Sequence, residues 1–216
     1  RVHRDLDVMV LADRLAQGGI VFHALDENPR NLEQDILTAG WHLNLLRAVR
    51  FLCNKGPRVL QETLIDTYHI PFAQKSADRW YLTREGGHSV PRILCAADHT
   101  GQTIMERLAA HIEKSPNIRV LTNRTAIALL TTHHHAQHLD FKFSLENQCV
   151  GAYVFNGQQE KVETILADFT ILATGGVGQL YLHTTNARGS IGSGLTMASR
   201  AGAKIMNAEY VQFHPT

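Results

Sequence analysis

The stretch LTREGGHS, residues 82–89, places Arg84, Glu85 and His88 around a glycine pair. A cation, a carboxylate and an imidazole this close to bare main chain form either a mixed surface loop or a pocket for a small charged substrate. Three other stretches combine polar groups with glycine. TILATGGVGQLYLHTTN (170–186) carries an apolar run that ends in Thr174, Gly175 and Gly176. With no Cβ in the way, the amides of such a pair can come close to a ligand. That suits a dinucleotide at the carboxyl end of a strand, with a tight turn as the alternative. GSIGSGLTMASRAGA (189–203) opens a helix with glycines, Gly192 and Gly194 among them, so that amides and the positive helix end favour an anionic group. A plain glycine-rich loop is the alternative. AQGGI (16–20) supplies a further pair, Gly18 and Gly19, after Gln17.

The chain reaches residue 216 through EYVQFHPT. Pro215 holds His214 extended or in a turn, where its ring can donate to a carboxylate. A structural histidine is the competing reading. The histidine cluster THHHAQH (132–138) sets His134 and His138 four apart, as helical zinc ligands would be. No carboxylate or thiol nearby completes a site, and no helix signal surrounds the cluster. A solvated hairpin loop without metal is expected. Cys53, Cys95 and Cys149 are widely spaced, with no CxxC, and read as reduced, half-buried thiols of a cytoplasmic protein.

The elements that position these groups follow from periodicity. LDVMVLAD (6–13) reads as a buried strand. Residues 31–70 carry apolar positions at helix spacing. NKGP (54–57) is expected to interrupt them, Gly56 as a stop and Pro57 as the first position of the next helix. Residues 100–115 form another helix. NIRVL and TAIALL, then CVGAYVF and VETILADFTILAT around NGQQ, predict an antiparallel meander over about 118–166. Residues 192–202 form a last helix that Gly202 ends. Strands interleaved with helices give an α/β class.

Composition narrows the function. Lys plus Arg number 21 against 20 Asp plus Glu, so nothing points to nucleic acid or an anionic membrane as partner. No apolar run is long enough to span a bilayer, and no signal peptide is visible.

AQGGI, LATGGVGQLY, TTN, the glycine-opened helix with MASRAGA, and EYVQFHPT occur in that order in one family. From about residue 8 to its last residue the chain resembles the flavoprotein subunits of the succinate dehydrogenase, fumarate reductase and L-aspartate oxidase superfamily. TREGGHS, followed by RIL, AAD and TG, resembles the L-aspartate oxidase branch rather than the dicarboxylate branch. Aspartate differs from succinate by an amino group, and Glu85 offers the ammonium a charge-assisted contact that succinate cannot make. If buried, an unpaired carboxylate discourages succinate by roughly 1–3 kcal/mol or more.

The resemblance implies an α/β fold in which residues 1–216 form a partial FAD-binding Rossmann-like domain with a small antiparallel subsheet. It implies FAD as cofactor, taking a hydride from Cα of L-aspartate to give iminoaspartate on the way to quinolinate and NAD. Oxygen or fumarate is the electron acceptor, with functional coupling to quinolinate synthase. The residues it assigns to FAD are Gln17, Gly18, Gly19, Thr174, Gly175, Gly176, Gly192 and Gly194. To substrate it assigns Glu85, His214 and Gln212, with His88 in support and Arg84 either in support or in a structural salt bridge. It places the base, an Arg, in a capping domain that begins just beyond FHPT, so no catalytic residue is assigned within the chain.

The sequence departs from the family in three ways. The capping domain is absent, the GxGxxG turn expected before residue 8 is missing, and the loop between VLADRL and AQGGI is short; the chain also has no initiator Met. Asp13 reads as a loop aspartate, with a ribose-binding role as the alternative. The departures lead to the expectation of an internal piece of a longer protein. Two other readings stand beside the oxidase: a fumarate reductase or succinate dehydrogenase flavoprotein, and an inactive fragment that binds no flavin.

Overall fold

A computed structural model describes residues 6–7, 18–23, 28–77, 79–135, 140 and 144–213. The chain divides into two compact units, residues 12–115 and residues 1–11 with 116–216.

The unit of residues 12–115 is built on a small sheet of three short strands, β2 (Ile20–Val21), β5 (Leu82–Thr83) and β6 (Ile93–Leu94). β6 lies in the middle and pairs antiparallel with both neighbours, Leu94 opposite Ile20 on one side and Leu82 on the other. Helix α1 (Pro29–Ala39) starts at Asn28, whose Oδ1 accepts from the Arg30 N–H at 3.0 Å, with Pro29 suited to the first turn. Phe22, Leu60, Ile70, Phe72 and Leu94 form the buried core, and Trp80 meets Phe72 edge to face. A hairpin of β3 (Gln74–Ser76) and β4 (Arg79–Trp80) and the helix α3 (Thr100–Glu113) complete the unit, the helix as expected.

The expected break at 54–57 is not there. Helix α2 (Leu46–Leu60) runs through Gly56 and Pro57. Pro57 has no N–H to give the preceding turn, but Val49 and Leu60 lie eleven residues, about three turns, apart and are both buried, which ties the two halves to one helix. A π-helical turn (Gln61–Ile65) follows directly. The chain breaks earlier instead. The Gly40 N–H closes α1 on the Ile36 carbonyl, and Trp41 and His42 take up positive φ.

In the other unit, β1 (Leu6–Asp7) pairs in parallel with β7 (Ile118–Arg119). The rest of LDVMVLAD lies outside the described residues. The predicted meander is present as β8 (Arg124–Thr131), β9 (Cys149–Asn156) and β10 (Lys161–Leu166), antiparallel throughout with β9 central. Asn156 sets the NGQQ turn. Its Oδ1 accepts from the Gln158 and Gln159 N–H groups and its Nδ2 donates to Glu163. The apolar run after Leu166 forms no ladder among the described residues, and Phe169 and Ile171 are exposed.

Thr132–His135 is a single helical turn, α4, where a loop was expected. Thr132 nucleates it by bonding across the connection, its Oγ1 donating to the Glu146 carbonyl and accepting from the Gln148 N–H. The His133 ring bonds the Leu145 carbonyl. His138 lies outside the described residues, and no metal-ligating cluster is present among those described. The last helix, α5 (Ser193–Arg200), ends with Gly202 at φ +91, as predicted. All three cysteines are half-buried and none is in a disulfide. No helix among the described residues is long and apolar enough to cross a membrane.

Candidate functional site

Each unit carries one group of the predicted site residues. In residues 12–115, the TREGGHS loop leaves β5 and returns into β6. The His88 N–H bonds the Glu85 carbonyl at 3.2 Å, and Gly87 at φ +82 makes the tight reversal between them possible. Glu85 Oε1 accepts from the Gly19 N–H at 3.1 Å. The AQGGI glycines and the TREGGHS loop are therefore joined by the candidate carboxylate itself. Gly18 is exposed beside Glu85. At Gly19, a side chain would collide with Ile93 and the Leu94 carbonyl, so part of the reason for glycine there is the close approach of β6.

Glu85 is exposed. The penalty expected against succinate presumes burial, so it does not arise from the packing of the described residues. Arg84 is exposed and His88 half-buried.

Two residues that sequence reasoning missed hold this loop. Arg92, the residue before β6, has a fully buried side chain, and its Nη1 lies 2.6 Å from Asp35 Oδ2 and 2.7 Å from His88 Nδ1. Asp35 Oδ2 also accepts from Ser89, from N at 2.8 Å and from Oγ at 2.9 Å. Burial pushes the Asp35 carboxyl up, but the Ser89 and Arg92 hydrogen bonds together with the Arg92 charge outweigh it and hold the carboxyl below its ordinary value. A signal existed in the sequence: Leu32, Asp35 and Ile36 share a helical stripe, and a carboxylate on a core-facing stripe asks for a cation.

In the other unit, ATGG and GSIGSG come together. The Gly192 N–H donates to the Gly176 carbonyl at 3.1 Å. Thr174 is buried against Gly194, where any Cβ would strike the Thr174 side chain. Gly192, at φ +78, precedes α5, and no side chain caps that helix. Gly175 and Gly176 are exposed, and a Cβ at Gly176 would meet nothing within 4 Å. Gln179 Nε2 binds the Asn186 carbonyl at 2.9 Å, which ties the TTN motif to the same knot. Gln212 is exposed in this unit. Gln17, Asp13 and His214 lie outside the described residues.

The chain matches the FAD binding domain family over residues 8–216, and it belongs to that family. Within it, the chain is 39% identical over 211 residues to the L-aspartate oxidase of Pseudomonas aeruginosa and 42% identical over 208 residues to that of Vibrio cholerae. In both cases 93% of this chain and 37% of the relative are covered, so the chain spans little more than a third of their length. A chloroplastic L-aspartate oxidase of Arabidopsis thaliana is 37% identical, with 29% of its length covered. Among solved structures, Mycobacterium smegmatis Sdh1 in complex with UQ1 aligns with a TM-score of 0.78 at 23% identity, covering 95% of this chain and 34% of that one. An E. coli quinol fumarate reductase aligns at 0.73 and 22%, covering 86% and 29%. These likenesses establish the fold.

The residues present fit FAD, the cofactor of this family. Bare main chain at Gly175 and Gly176 and a helix start with no acidic residue in its first turn make a surface that accepts an anionic or flat polar group without repulsion.

Proposed function

We propose that the chain is the FAD-binding part of an enzyme that oxidises L-aspartate to iminoaspartate in de novo NAD biosynthesis, with oxygen or fumarate as electron acceptor. The observation that carries this reading is the 37–42% identity to L-aspartate oxidases across the chain, with Glu85 on a built loop beside the AQGGI glycines. Residues 1–216 are read as one incomplete FAD-binding domain. The enzyme works in the cytoplasm and is functionally coupled to quinolinate synthase.

When bound, FAD supplies the two-electron acceptor that amine oxidation requires. The chain's own residues bind and orient. Gln17, Gly18, Gly19, Thr174, Gly175, Gly176, Gly192 and Gly194 hold the cofactor through main-chain contacts and the start of α5. Glu85 holds the substrate ammonium, its Oε1 fixed by Gly19 and its Oε2 left to the ligand. His214 and Gln212 hold a substrate carboxylate. The substrate loses a hydride from Cα and a proton from nitrogen, and its orientation decides whether that hydride is within reach.

The competing reading is the dicarboxylate branch. Glu85→Gln separates the two, because the amide oxygen still accepts from Gly19 while the charge is gone. In the full-length enzyme we expect kcat/KM for L-aspartate to fall about 10- to 100-fold, as for one lost charge-assisted hydrogen bond, with fumarate reduction largely intact. Equal losses on both would remove Glu85 from the ammonium.

A further inference from the structure

The TREGGHS loop is exposed at Glu85 and anchored at Arg92. A guanidinium with no solvent exposure is costly unless its donors are matched. Asp35 and His88 match it through Nη1, and the Arg92 main chain is fixed on both sides, its N–H on the Thr83 carbonyl and its C=O on the Phe22 N–H.

Arginine has donors only. The 2.7 Å contact therefore makes His88 Nδ1 an acceptor and leaves the ring proton on Nε2. From there a continuous set of contacts leads to the candidate carboxylate. Arg92 holds the His88 ring, the His88 N–H holds the Glu85 carbonyl, and Asp35 holds Ser89 through two bonds to one oxygen. The side-chain contacts run among Asp35, His88, Ser89 and Arg92, none of which is a member of the apolar core cluster.

We propose that Asp35 and Arg92 are positioning residues that set the Glu85 carboxylate toward its ligand and fix His88 as the Nε2–H tautomer. The functional half of this inference rests on Glu85 as the ammonium ligand. The clamp and the tautomer do not.

The test uses the full-length, FAD-loaded protein and Asp35→Asn, which keeps the size of the side chain and removes its charge. Ser89→Ala is the milder companion should Asn fold poorly. Amide exchange at His88 and Ser89 should speed up at least about tenfold in Asp35→Asn, while the Ala73 amide, bonded to the Cys95 carbonyl, stays protected. Side-chain nitrogen NMR should show an unprotonated Nδ1 at His88 in the wild type and a mixed tautomer in the variant. KM for L-aspartate should rise about tenfold with kcat within about twofold, because the ligand is lost from a misaligned carboxylate.

Unchanged exchange at His88 and Ser89, or a protonated Nδ1 in the wild type, overturns the clamp. Faster exchange with an unchanged KM overturns the positioning role. A wild type that does not oxidise L-aspartate removes the functional reading, and exchange and NMR then decide the clamp alone.

Discussion

The TREGGHS loop and the ATGG knot hold their shapes by opposite means. In the loop, charge does it: a buried guanidinium, a carboxylate and an imidazole converge from positions up to 57 residues apart. In the knot, absence does it. Thr174 fits because Gly194 has no side chain, and the Gly192 and Gly176 main chains bond directly. A site held by charge yields to charge removal and acid, whereas one held by missing atoms yields to added volume.

The sharpest way to break that contrast is Gly194→Ala. Helix propensity favours alanine by up to about 1 kcal/mol. The new Cβ would nevertheless sit inside the envelope of Thr174, a stiff β-branched side chain, and overpacking costs about 1–3 kcal/mol. Denaturant unfolding should show a net loss, and in a Thr174→Gly background the same substitution should become neutral or stabilising. A loss that persists there would mean that Thr174 is not the obstacle.

Acid should act on the loop and spare the knot. The Asp35 carboxyl is held below its ordinary value, so the folded state binds its proton less readily than the unfolded chain does. Its contribution is complete well above about pH 3.9, the unfolded value, and is lost as pH falls through the lower folded value. The acid limb of a stability–pH curve should flatten in Asp35→Asn. Glu163, held low first by Asn156 and then by Arg124 against the pull of desolvation, adds to that limb from the meander. An unaltered curve in Asp35→Asn would assign the whole limb to other carboxylates.

The smallest effect marks where charge ceases to matter. Arg58 and Glu62 pair at 2.6 Å, but both are largely exposed. Glu62→Gln should leave the denaturant midpoint of unfolding unchanged within measurement, because solvent screens an exposed pair.

Local patterns were legible in the sequence. The meander, the NGQQ turn, the 100–113 helix and Gly202 beyond α5 all follow from short-range periodicity and turn chemistry. The order of the glycine motifs announced the FAD family before any geometry was known. Long-range facts were less legible. Pro57 signals a helix start, yet two buried residues on one face overrode it. Asp35 shows in its own window as a carboxylate on a core-facing stripe, but nothing local names Arg92 as its partner, and only folding brings the two together. The run after Leu166 has strand composition, but a ladder needs a neighbour, and composition does not say whether one is there.

The bond from Gly19 to Glu85 has one more consequence. With Oε1 accepting from the main chain, the exposed carboxylate is moored by one of its two oxygens. The donor belongs to the backbone, and that backbone lies where it does because glycine at position 19 presents no side chain to Ile93 and the Leu94 carbonyl. The same missing Cβ that admits β6 thus also sets where Glu85 is moored.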